Sequence, residues 1–114
     1  MLSFTGSLKV FLAAQPADLR KGFSGLYAMT AQVLREDPQS GALFVFTNRD
    51  RTRIKSLYWD GTGLWVMTKR LEKGRFSWPE ADGGKVELKP GELALLLDGI
   101  ELKNVIRKAW FRRE

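Results

Sequence analysis

Apolar residues along this chain fall into short runs separated by turn clusters, and the spacing inside each run assigns its element. Residues 8–14, centred on Val10 and Phe11 and closed by Gln15-Pro16, predict a first short strand. Pro16 to Asp18 then reads as a helix entry with Asp18 as N-cap. Leu19, Phe23, Leu26, Tyr27, Thr30, Val33 and Leu34 recur three and four residues apart, the stripe of an amphipathic helix. That helix ends by Glu36, because Pro38 disfavours helical backbone at Asp37. Gly22 and Gly25 weaken it, by up to about 1 kcal/mol each in an interior position, and suit close packing on a sheet.

Gln39-Ser40-Gly41 is a turn, and residues 42–47 are apolar on both faces, as expected of a central strand. After a polar loop at 48–52, residues 53–60 alternate. Ile54, Ser56 and Tyr58 point one way, and Arg53, Lys55, Leu57 and Trp59 the other. Asp60-Gly61-Thr62-Gly63 is a tight turn, and residues 64–68 return as the next strand. A charged loop at 69–74 leads to a further short strand at 75–78 before Pro79, and after a polar linker at 80–84 another strand spans 85–88. Pro90 opens a short helix that Gly99 closes, with Leu93, Leu96, Leu97 and Ile100 on its buried side. Val105, Ile106, Ala109 and Trp110 repeat at helical spacing in the basic segment 101–114, expected as a docked helix, as a tail that orders only on binding, or as a segment frayed in solution. The pattern predicts a single α+β domain, an antiparallel β-meander packed against two or three helices.

Composition narrows the function classes. At 114 residues the chain is one domain with a modest core. It has no Cys and no His, which removes disulfides, thiol chemistry, zinc or copper sites and any His-based acid–base mechanism. Neither GxGxxG nor GxxxxGK[ST] occurs. Lys9 interrupts the early apolar run where a secretory signal needs its hydrophobic region, and nowhere do about 20 apolar residues run together. The expectation is a cytoplasmic protein with no membrane segment and no cofactor.

The net charge of +6 is segregated along the chain. Between residues 43 and 79, eight cations (Arg49, Arg51, Arg53, Lys55, Lys69, Arg70, Lys73 and Arg75) face three acids, and residues 103–114 hold five cations and one acid. Segregated charge is the electrostatic footprint of a nucleic-acid binder, and an Arg-rich first loop suits bidentate phosphate contacts. A basic hairpin equally serves to keep edge strands from pairing with other chains. Most sheet aromatics in a small domain fill the core; Trp59, on the face of Arg53 and Lys55, is the candidate for base stacking. Arg107, Lys108, Trp110, Phe111, Arg112 and Arg113 form a candidate second contact or a docking anchor for a partner. Asp18, Asp50, Asp60 and Glu72 are the acids a metal-dependent nuclease would need. Their settings as cap, turn and neighbours of Arg favour capping and surface pairing, so no catalytic and no metal residue is assigned.

Three blocks resemble the small accessory protein of bacterial transposons of the insertion sequence 66 family, the TnpB-type product of the second reading frame. They are Pro16-x-Asp18-x-Arg20-Lys21-x-x-x-Gly25-Leu26; then Leu43-Phe44-Val45-Phe46-x-Asn48-Arg49, continuing through Arg53-Ile54-Lys55-x-Leu57-Tyr58-Trp59-Asp60 to Gly63; and Lys69-Arg70-Leu71-Glu72-x-Gly74-Arg75-Phe76-x-Trp78-Pro79. The unrelated RNA-guided nuclease that shares the TnpB name has no likeness here. The resemblance implies a protein needed beside a separate, larger transposase that performs strand transfer. With the segregated charge the expectation is a non-catalytic factor that holds DNA, and the Trp110-Phe111 pair keeps open an adaptor that binds the transposase without touching DNA. It supplies no binding residues, so the assignments above rest on charge and spacing.

Overall fold

A computed structural model describes residues 8–80 and 83–98. Five strands and two helices follow one another as β1 (Val10–Ala13), α1 (Phe23–Gln32), β2 (Leu43–Thr47), β3 (Arg53–Trp59), β4 (Leu64–Arg70), β5 (Lys85–Leu88) and α2 (Pro90–Leu97). They form one mixed sheet in the order β4-β3-β2-β1-β5. The α+β class and the meander β2-β3-β4 are as the pattern predicts, with antiparallel pairing throughout the meander. β1 adds what the pattern did not specify. It runs parallel to β2, because α1 carries the chain back to the same end of the sheet, and antiparallel to β5.

Alternation along the strands splits the apolar residues between two faces. Val10, Leu12, Leu43, Val45 and Ile54 build a core with Phe76, Trp78, Leu88, Leu93 and Leu96 under α2. Phe11, Ala13, Phe44, Phe46 and Leu57 build a second core with Leu26, Leu34 and Ala42 under α1. A helix thus covers each face, and β2, buried along its whole length, is the central strand its sequence implies.

Two elements differ from the pattern. α1 begins at Phe23 with Gly22 as N-cap, not at Asp18. The Asp18 carboxylate is engaged locally, accepting from the backbone N–H and the guanidinium of Arg20, so residues 18–21 form a turn. Of the expected stripe, Leu26 and Thr30 are the residues buried in α1, while Phe23, at its first turn, is 52% exposed and Val33, at its C-cap, 58%. A Cβ at Gly25 would meet the Lys21 side chain at 2.6 Å, so this glycine accommodates Lys21.

The second difference is at residues 75–78, which are not a strand. Their alternation comes from Phe76 and Trp78 pointing into the α2-side core while the chain crosses beneath the sheet from β4, at one edge, toward β5, at the other. The crossing is anchored at both ends. Phe76 N–H donates to the Arg51 carbonyl at 2.7 Å, and the Trp78 indole N–H donates to the Ala13 carbonyl at 2.8 Å. α2 starts at Pro90 as expected, and Glu92 accepts from the Lys89 backbone N–H in a capping box. The expected cap Gly99, Ile100 and the segment 101–114 lie outside the described residues.

Candidate nucleic-acid interface

The loop between β2 and β3 is built around Asn48. Its side-chain oxygen accepts from the backbone N–H groups of Thr52 (3.0 Å) and Arg53 (3.1 Å), and its amide donates to the Thr52 hydroxyl. Its carbonyl accepts from Arg51 N–H, which holds Arg51 in the left-handed region at φ 58°. A long cationic side chain in that conformation is costly, by about 1–2 kcal/mol. The local fold therefore fixes the backbone from which Arg49 and Arg51 project, both exposed.

Two backbone bonds bring the chain leaving β4 against this loop: Leu71 N–H to the Thr52 carbonyl at 2.9 Å, and Phe76 N–H to that of Arg51. Gly74, at φ 74°, makes the turn between them. Lys73 and Arg75 thereby join Arg49 and Arg51 at one end of the sheet, and all four are exposed. On the adjoining α1 face, Arg53 lies directly opposite Arg70 in the β3–β4 register, and Lys55 lies opposite Thr68. Seven of the eight cations singled out from sequence in this segment thus share one end of the sheet and its α1-side margin. The acids among them are Asp50 and Glu72, the latter 3.5 Å from Arg70 in an exposed pair.

Lys69 is the exception. Its register partner is Ile54, which puts it on the α2 face, where its ammonium donates to the Leu97 carbonyl at 2.7 Å. Trp59 shares the face of Arg53 and Lys55 as expected and is half-buried. It stands six residues up the strand from Arg53, about 20 Å away, beside the opposite turn. Arg107, Lys108, Trp110, Phe111, Arg112 and Arg113 fall outside the described residues.

The structure adds two cations that the charge count passed over. Ala17 N–H donates to the Thr47 carbonyl at 2.8 Å, seating residues 17–21 beside the Asn48 loop. A cleft of about 460 Å³ opens between them, lined by Asp18, Arg20, Asn48, Asp50, Arg53 and Lys55 among others. Lys21 adjoins it, its carbonyl accepting from the Lys55 ammonium at 3.4 Å. Asp18 holds Arg20 at this cleft, and the Arg20 guanidinium with its backbone N–H lowers the Asp18 carboxyl to about 2. The Pro-x-Asp-x-Arg-Lys block carried the sequence signal for these residues, but their distance along the chain from residues 43–79 hid their place.

The acids do not converge on a metal. Among the described residues no group of three or more His, Cys, Asp or Glu could hold one. Asp60 closes the β3–β4 turn, accepting from Thr62, Gly63 and the Trp65 indole. Those bonds, the Thr62 backbone N–H foremost, hold its carboxyl well below the usual carboxylate range. Among the described residues no helix is long and apolar enough to cross a membrane.

Comparison with known proteins places this arrangement in a family. The model of the family described as IS66 Orf2 like protein matches residues 8–107, which spans all the elements above. Two relatives come from Sinorhizobium fredii. The uncharacterized protein y4jC is 37% identical over 108 residues, covering 95% of this chain and 92% of its own length. The uncharacterized protein y4hO is 38% identical over 104 residues, covering 91% and 90%. No solved structure matches.

Proposed function

The chain belongs to the IS66 Orf2-like family, whose role is accessory to transposition, and from that premise we propose that it binds the DNA backbone through the basic end of its sheet. Arg49, Arg51, Arg53, Lys55, Arg70, Lys73 and Arg75 hold phosphates, with Arg20 and Lys21 extending the surface across the cleft. The observation that carries this reading is the pair of backbone bonds from Leu71 and Phe76 to the Asn48 loop, which gathers cations from two separate loops onto one end. A hairpin charged only to stay soluble needs no such gathering. The contacts are electrostatic and carry no base readout, because phosphates position a protein without specifying sequence. The protein performs no chemistry on DNA in this account and works in the cytoplasm beside the transposase of the same element, which cuts and joins the strands. Cations of the 101–114 segment add a second contact or recruit that transposase.

Gel-shift titrations against transposon-end and random duplexes test the reading. Binding to both at low salt is the expected result. No binding to either duplex removes the DNA claim and leaves the adaptor reading, in which the protein meets only the transposase; co-purification that survives nuclease and high salt would establish that alternative.

A further inference from the structure

β4 is an outer strand of the sheet, paired with β3 alone among the described residues. Bonded and non-bonded pairs alternate along an antiparallel ladder, and here the phase is fixed at both ends. Asp60 N–H donates to the Gly63 carbonyl at 3.1 Å, and Leu71 N–H to the Thr52 carbonyl at 2.9 Å. Stepping inward by twos, Trp65, Met67 and Lys69 bond to β3. Leu64, Val66, Thr68 and Arg70 therefore turn their backbone N–H and C=O groups outward.

Natural sheets protect such edges with short strands, charges, proline or a bulge. The other edge does so: β5 has four residues, among them Lys85 and Glu87. β4 has seven, no proline and no left-handed residue, and its charges sit only at one end, at Lys69 and Arg70. The rest of it carries half-buried Leu64, Val66 and Met67, with Trp65 46% exposed.

We propose that β4 is the interface between two copies of this chain, joined antiparallel about a twofold axis at Met67 into one continuous ten-stranded sheet. This register is the one antiparallel self-pairing that uses all four outward residues, setting Val66 against Thr68 and Leu64 against Arg70. Shifting the axis to Val66 or Thr68 leaves Arg70 or Leu64 without a partner. The side chains agree with it. Each strand's charged end meets the other's apolar end, the aliphatic stem of Lys69 faces Trp65, and Met67 meets Met67. A parallel pairing would set Lys69 beside Lys69 and Arg70 beside Arg70, which like-charge repulsion opposes. That self-complementarity is why the occupant is a second copy. The two Arg70 residues come to lie about 20 Å apart along the strands, and the two basic ends face opposite ways.

Light scattering on the full-length chain, with two kinds of variant, tests this. The unmodified protein at about 100 μM is expected at twice its 13.0 kDa mass. Thr68→Pro removes an outward N–H and no bond to β3, so a monomer with an unchanged circular dichroism spectrum is expected. The chain has no native cysteine, which makes crosslinking unambiguous. Met67→Cys lies on the twofold axis at a non-hydrogen-bonded pair, where Cα atoms stand about 4.5 Å apart, within disulfide range. It is expected to crosslink nearly completely on mild oxidation. Trp65→Cys, whose two copies lie about 14 Å apart along the strands, is expected to crosslink little. A monomer at 100 μM overturns the proposal. So does equal crosslinking of the two cysteines, or a dimer undiminished in folded Thr68→Pro.

Discussion

Phe76 lies in a stretch without regular structure, yet the fold makes it a core residue, and replacing it measures how much the crossing segment holds. Its side chain is 1% exposed and packs in the α2-side core, while its N–H ties the segment to Arg51. Phe76→Ala leaves that backbone bond and removes the ring, a change that costs about 3–5 kcal/mol in a buried site. At about 2.1 cal/mol/K per residue, the unfolding entropy of 114 residues is about 0.24 kcal/mol/K. The Tm therefore falls by about 12–20 °C in calorimetry. Phe23→Ala is the control, since the sequence pattern makes Phe23 equally part of an apolar stripe while the structure leaves it 52% exposed. It is expected within about 0.5 kcal/mol of the parent, as for an ordinary surface change. Trp78→Phe falls between them at about 1 kcal/mol, through loss of the indole hydrogen bond to Ala13. A loss below about 1 kcal/mol in Phe76→Ala, or an equal loss in Phe23→Ala, would refute the place of Phe76 in the core.

Arg53→Thr removes one of two like charges directly opposed across β3 and β4, so stability should hold or rise by about 0.2–1 kcal/mol in urea titrations at low salt. The same variant should flatten the salt dependence of DNA binding by about one unit of slope, and a destabilised protein would contradict the register. The carboxyls of Asp18 and Asp60 are both lowered, so their ionised forms contribute stability that is complete above the unfolded carboxylate pKa of about 3.9. That contribution is lost as pH falls through the folded value, about 2 for Asp18. Carboxyl NMR titration should show Asp18 with a midpoint near 2 and Asp60 well below the usual range; midpoints near 4 would remove the Arg20 and Thr62 contacts.

The period-two alternation at residues 53–60 assigns both faces of β3 correctly, and the apolar run of β2 assigns its central place. What local pattern cannot carry is a long-range partner. Phe76 and Trp78 alternate as a strand does, but their chain passes beneath the sheet instead of pairing with an edge, so the same alternation fills a core from a crossing segment. Asp18 had the right type for a cap and was drawn off by Arg20 two residues on, so α1 starts at Phe23 with Gly22 as N-cap. For the candidate site, charge counting found the cations, and the register sorted them. A single residue's difference in parity separates Lys69, on the α2 face, from Arg70, on the α1 face. Arg20 and Lys21 were written in a motif, but they join the basic end through long-range bonds, Ala17 to Thr47 and Lys55 to Lys21.

The dependence of DNA affinity on salt tests the central claim most directly. Seven phosphate contacts give a slope of log K against log salt of about −6, steeper if residues 103–114 add their own. Arg75→Ala should flatten that slope by about one unit, whereas Lys69→Ala, on the other face, should leave it unchanged. A slope flatter than about −3 would contradict a phosphate-binding surface at this end of the sheet, and equal effects of the two variants would contradict its location.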